Sequence, residues 1–120
     1  LGVCWFACWG VKGVLEYAPR AIELSTGWTG FDREEALRVG ERIANLQRVI
    51  AIRRGFRREN EFDVSPRLLE APQGGVAAGK SIAPHLEQMV DEYYSLMGWD
   101  ENGRPTTDTL KRLGLEGALQ

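Results

Sequence analysis

Hydrophobic residues recur at spacings of three and four along most of the chain, and glycines or prolines interrupt the recurrence. That period is the helical one, with apolar side chains gathered on one face of each run. Val14 to Thr26 forms the first such run, and Gly27 stops it. Pro19 falls inside it, which requires a first-turn position or a kink, because proline brings no N–H to the helical ladder. The strongest run is GFDREEALRVGERIANLQRVIAIRRGF, where Ala36, Val39, Ile43, Leu46 and Ile50 predict one apolar face. Asp32 is placed to cap this helix, with Glu35 three residues on in a capping-box pattern. Arg53 and Arg54 suit the negative end of the helix dipole, and Gly55 suits the stop.

Asn60 to Gly79 is less regular: SPRLLEAPQGGVAAGK reads as a surface connection around a short turn of helix. Pro84 then opens another helix, with Leu86, Met89, Val90, Tyr93 and Met97 on one face and Gly98 at its end. WDENGRP is a turn, and Thr106 or Thr107 caps a last helix through Leu110 and Leu113 to Gly114. Strand signals are weak everywhere, so the predicted fold is all-α and multihelical, one helical domain over residues 1–120.

Composition narrows the function classes. A net charge of −2 lacks the basic excess of a nucleic-acid binder. No apolar stretch reaches the roughly 20 residues of a membrane span, so no membrane partner is expected. Two cysteines without a secretory signal point to a reducing compartment, the cytoplasm.

Candidate chemistry is sparse. Arg53, Arg54, Arg57 and Arg58 could grip phosphate, but Glu59, Glu61 and Asp63 stand beside them and favour a solvated helix end. GGVAAGKS imitates a phosphate loop, yet its leading glycine stands four residues before Gly79 rather than five and no buried strand precedes it. His85 has no ligand at metal spacing and reads as exposed or capping. Tyr93, Tyr94 and Trp99 have the spacing of core or interface aromatics. The set Arg42, Asn45 and Arg48 reads as a means of holding helices together. Cys4 and Cys8 lie in LGVCWFACWG, an almost wholly apolar opening. Two thiolates cannot complete a four-coordinate metal site, so on spacing alone the pair reads as packing.

Resemblance changes the reading of Cys4. The segment GWTGFDREEALRVGERIANLQRVIAIRRGFRRENEFDVSPRLLEAP resembles the G-W … G-E-R-I-x-N-L-x-R … R-x-G-F-x-R … P-x-R-L-L-E-x-P pattern of the tungsten-pterin aldehyde:ferredoxin oxidoreductases. VDEYYSLMGWDENGRPTTDTLKRLGLE is similar to that family's closing D-E-Y-Y-x-x-x-G-W-D-x-x-G-x-P-T … L-x-x-L-G-L. Family members carry D-x-x-G-L-C ahead of this region, and Gly2, Val3 and Cys4 fit its end, with Val3 in place of Leu. The resemblance implies that Cys4 is the last of four ligands to a [4Fe-4S] cluster and that Gly2 and Val3 present backbone to the pterin. It implies a C-terminal domain whose residues 1–10 end a cofactor-binding loop. The parent would hold the cluster and a tungsten (or molybdenum) bis-pterin, pack this domain against its N-terminal domains, oxidise aldehydes to carboxylates and reduce ferredoxin. Ile50-Ala51, where the family often has Phe-Asn, and the longer GWTGFD entry depart from the pattern away from the cysteine loop. The fragment alone would be inactive and would self-associate through its apolar Leu1–Trp9 face. The competing reading is a non-catalytic helical interaction module with buried structural cysteines.

Overall fold

The computed structural model describes residues 13–119, and it separates into two compact units that meet within the long central helix, between Ile43 and Ala44. Gly2, Val3, Cys4 and Cys8 lie outside the described residues. Among the described residues the regular structure is helical, with an isolated Trp99–Pro105 bridge as the one sheet-like pairing. The all-α expectation holds. None of the described helices is long and apolar enough to cross a membrane.

The first unit contains helix α1 (Val14–Thr26) and the start of α2 (Arg33–Arg53). Gly27 closes α1 as expected, its N–H bonded to the Glu23 carbonyl at 2.9 Å. Pro19 sits past the first turn, inside α1, and is the buried residue of that helix. Its ring is taken from water there, at the cost of the hydrogen bond the Leu15 carbonyl would otherwise accept. Asp32 caps α2, its Oδ1 accepting from the Glu35 N–H at 2.8 Å, while the Glu35 carboxylate pairs with Arg38. Trp28 and Phe31 meet with ring centroids 4.9 Å apart and planes tilted by 49° in the connection between the two helices.

The second unit takes the rest of α2, a 3-10 turn at Arg58–Phe62, the short α3 (Pro66–Leu69), α4 (Leu86–Met97) and α5 (Thr107–Arg112). A second 3-10 turn, Ala83–His85, leads into α4, so Pro84 stands in that turn and the α-helix proper begins at Leu86. A tight turn of this kind commonly starts an α-helix. Thr106 caps α5 by accepting from the Thr109 N–H. Gly98 ends α4 in the left-handed region, at φ 68°, with the Thr109 hydroxyl where a Cβ would project. Thr109 Oγ1 donates to the Gly98 carbonyl at 2.8 Å and ties α5 to the end of α4.

Burial corrects the expected helix faces. The core of the second unit is Val49, Tyr94, Leu110 and Leu113, joined by the polar Asn45, Arg48 and Thr109. On α2 the buried set is therefore Asn45, Arg48 and Val49, whereas Leu46 and Ile50 are each 41% exposed. On α4 the buried residue is Tyr94, while Met89 and Tyr93 are about half exposed. On α2 the polar Asn45 and Arg48 can be buried because each finds a hydrogen-bond partner there, which removes the main cost of burying them.

Candidate functional site

The central feature of the second unit is the Arg48 guanidinium, 8% exposed and fully engaged. Its Nε donates to the Gly103 carbonyl at 2.6 Å, Nη1 to Glu61 Oε1 at 2.6 Å, and Nη2 to the Tyr94 hydroxyl at 2.9 Å. Tyr94 in turn donates to Glu61 Oε1 at 2.9 Å. The planar cation lies 4.9 Å from the Phe56 ring centroid, 5.3 Å from that of Tyr94 and 4.6 Å from that of Trp99. Arginine suits this position, since its rigid fork directs several donors at once and its face stacks on aromatic rings. Trp99 Nε1 donates to Asn45 Oδ1 at 2.8 Å, which places Asn45 and Arg48, one turn apart on α2, in the same constellation. All three donor nitrogens of Arg48 are committed within the protein, so this cluster holds α2, the Arg58–Phe62 turn, α4 and the Trp99–Pro105 turn together. That is the structural reading of Asn45 and Arg48 given by the sequence.

Two members of the cluster were hidden in the sequence. Glu61 stood among the acidic neighbours of an arginine run, and Gly103 was one residue of a turn. Their partners on α2 and α4 are separated from them by between 13 and 55 residues. Local patterns carry no sign of such distant pairings.

Tyr94 titrates abnormally. Burial holds its phenol above the ordinary value of 10.0, and the hydrogen bond to Glu61 adds to the rise against the opposing charge of Arg48. The folded state therefore resists ionisation that the unfolded chain accepts. This contribution is fully present below about pH 10 and is lost as pH rises from there through the higher folded value. Spectrophotometric titration is expected to show one phenol ionising late, together with falling stability above about pH 10. Both features should be absent in Tyr94→Phe, and a late phase that persists in this variant would contradict the assignment.

Two members of the arginine run, Arg53 and Arg58, have structural tasks. Arg53 Nη2 donates to the Ala118 carbonyl at 2.6 Å. Arg58 pairs across to Asp91 on α4 at 2.7 Å and donates to the Glu101 carbonyl at 3.2 Å. Its acidic partners are thus Asp91 and, at 3.8 Å, Glu87, rather than the residues next to it in sequence. The hydrogen bond to Asp91 raises the Arg58 pKa further above its ordinary range. A cleft of about 440 Å³ opens beside Arg57, Arg58 and Arg104, but Glu59 and Asp100 also line it. Asp100 Oδ1 is already committed to the backbone N–H groups of Asn102 and Arg104. Charges of both signs meet there, without a nucleophile or an isolated base.

The remaining candidates resolve simply. His85 is exposed at the start of α4. In the GGVAAGKS stretch Ser81 Oγ donates to the Leu69 carbonyl and accepts from the Ala83 N–H, so it serves the connection rather than a phosphate. Tyr93 meets Trp99 edge-on at 5.5 Å, and Tyr94 contacts the same indole. Among the described residues no three His, Cys, Asp or Glu side chains come together as metal ligands.

Comparison with known proteins supplies what the geometry does not. The family described as aldehyde ferredoxin oxidoreductase, domains 2 & 3, matches residues 1–115. The chain is 36% identical over 115 residues to the tungsten-containing aldehyde ferredoxin oxidoreductase of Pyrococcus abyssi, covering 96% of this chain and 18% of that protein. The similarly described protein of Pyrococcus horikoshii is 34% identical over the same shares. An aliphatic sulfonate oxidoreductase, WOR-like subunit, of Pyrococcus furiosus is 32% identical over 80% of this chain and 17% of that subunit. The chain thus spans less than a fifth of the length of these relatives. No solved structure matches it significantly.

Proposed function

The chain belongs to the aldehyde ferredoxin oxidoreductase family, and from that membership we propose that it is a C-terminal helical domain of a tungsten-pterin, [4Fe-4S] enzyme. The parent oxidises an aldehyde to a carboxylate, taking the added oxygen from water and passing two electrons on to ferredoxin. The observation that carries this reading is the family match across residues 1–115, which includes the Gly2-Val3-Cys4 segment. The metal and pterin supply the redox chemistry, as cofactors generally do, while the polypeptide positions and insulates them. Cys4 is the iron ligand contributed by this domain, for thiolate is the donor that iron–sulfur clusters require. Gly2 and Val3 bring backbone toward the pterin, and glycine's lack of a Cβ permits a close approach. The neighbouring Trp5, Phe6 and Trp9 exclude water from the cluster, and such burial tunes its potential. The Arg48 cluster has a structural part, tying together the helices and turns of the second unit. The 120-residue chain alone, without the other cluster cysteines and the pterin site, has no oxidoreductase activity.

The test is made in the full-length polypeptide. Cys4→Ala is expected to abolish the cluster absorbance and to remove most of the iron, whereas Cys8→Ala leaves both unchanged. Wild-type iron content and absorbance in Cys4→Ala would overturn the assignment and leave the interaction-module reading, with both cysteines as packing residues.

A further inference from the structure

Within the second unit an open groove of about 250 Å³ runs along α4, lined by Leu86, Met89, Val90, Tyr93, Tyr94 and Glu61. Met89 is 49% and Tyr93 50% exposed, and Leu96, one turn further on, is more exposed still. These three continue a single stripe at spacings of four and three, so α4 presents a row of large apolar side chains outward. Patches of this kind on a soluble surface mark contacts. The groove is smaller than the roughly 300–1,000 Å³ of small-molecule sites, which favours side chains of a protein partner over a free ligand. It also has one polar point. Glu61 Oε1 accepts from both Arg48 and Tyr94, while Oε2 has no partner among the described residues. The groove thus offers an incoming segment apolar walls and one carboxylate oxygen for a donor. Helix α4 itself carries Glu87, Asp91 and Glu92 and no lysine or arginine; Arg58 offsets Asp91 and Glu87, so it is Glu61, lining the groove, that favours a donor over an acceptor.

We propose that this groove is the seat of an apolar, donor-bearing segment from elsewhere in the same longer polypeptide, outside residues 1–120. The occupant is argued from length: more than four fifths of each tungsten-containing relative lies beyond the matched region, so a longer polypeptide of that kind has ample chain to seat in the groove. The inference rests on the reading of the chain as one domain of a larger enzyme.

Hydroxyl-radical footprinting of the native full-length polypeptide tests it, with peptide-resolved mass spectrometry and without substitution, because methionine and tyrosine are themselves reactive probes. Met89 and Tyr93 are expected to label at least tenfold more slowly than in the unfolded polypeptide, equally at two protein concentrations a hundredfold apart. Labelling within threefold of the unfolded rate would leave the groove open and overturn the proposal. Protection that fades on dilution would assign the groove to a second copy, and would overturn it equally. In a second arm Tyr93→Glu places a charge on the groove wall; Met89 labelling should rise at least fivefold while the late-titrating Tyr94 phenol is retained. Unchanged Met89 protection in that variant counts against the groove as the contact. Footprinting reads neither iron nor electrons, so a failed Cys4 assignment leaves this result intact, and a failed groove leaves the cluster ligand intact.

Discussion

Arg48→Met is expected to lower the stability of the second unit by about 3 kcal/mol, at the lower end of the 3–5 kcal/mol typical of breaking a buried ion pair on one side. Methionine keeps most of the apolar stem, so the loss isolates the charge and its donors. The Gly103 carbonyl loses its Nε donor, Glu61 loses its cation, and the Tyr94 hydroxyl loses the bond it accepts. Three aromatic rings lose the cation they surround. Glu61 keeps some access to solvent, which is why the lower end applies. Folded domains are stable by only about 5–15 kcal/mol, so the change removes a large share of the total. In urea it should appear as a fall in midpoint of roughly 1–3 M. Arg48→Lys retains the charge without the planar fork and should recover part of the loss, since lysine cannot reach three divergent acceptors at once. A midpoint for Arg48→Met close to that of the unsubstituted chain would show that the cluster contributes little.

The same cluster explains which parts of the fold were legible in the sequence. Helix limits depend on near neighbours, and they were readable: Gly27 and Gly98 end their helices, and Asp32 and Thr106 cap theirs. The buried faces depend on distant partners, and there periodicity pointed to the wrong side. It grouped Ile43, Leu46 and Ile50, all of which the structure leaves substantially exposed, and passed over Asn45 and Arg48. A buried polar group is tolerable only when satisfied, and the groups satisfying these two come from the Trp99–Pro105 turn, α4 and the Arg58–Phe62 turn. No window of eleven to eighteen residues on α2 contains them. The proposed roles of Gly2, Val3 and Cys4 rest on a different kind of signal, resemblance to a family motif, without which two thiols at that spacing read as packing.

The exposed stripes follow from the same inversion. Once polar side chains occupy the interior of α2, the apolar residues at the helical period face outward; α4 buries Tyr94 and leaves a second apolar stripe, Met89, Tyr93 and Leu96, outside. A chain folding for itself alone would gain by reversing both faces, because each large side chain taken from water contributes about 1.5–3 kcal/mol. Their outward placement is consistent with a domain whose apolar surface is completed by further polypeptide, and it supports the proposed role as one part of a larger enzyme.

Gly103→Ala should be nearly as damaging as loss of Arg48, although it adds only a methyl group. Gly103 is buried and holds φ at 72°, where an L-residue's Cβ meets the backbone at a cost of about 1–2 kcal/mol. Space is equally short. A Cβ there would lie 2.5 Å from Tyr94 Cζ and 2.6 Å from its hydroxyl, and closer still to Arg48 Nη2. None of these atoms is free to withdraw, because Tyr94 and Arg48 are fixed by each other and by Glu61. Overpacking a well-filled interior costs a further 1–3 kcal/mol or so, giving about 2–5 kcal/mol in all. Comparison with Gly55→Ala separates the two causes. Gly55 has φ of 93°, yet nothing lies within 4 Å of where its Cβ would stand. That variant should show the backbone cost alone, about 1–2 kcal/mol, in the same urea titration. Equal losses at the two positions would mean that the turn at Gly103 yields to the methyl group, and that the Arg48–Tyr94–Glu61 cluster is looser than its hydrogen bonds imply.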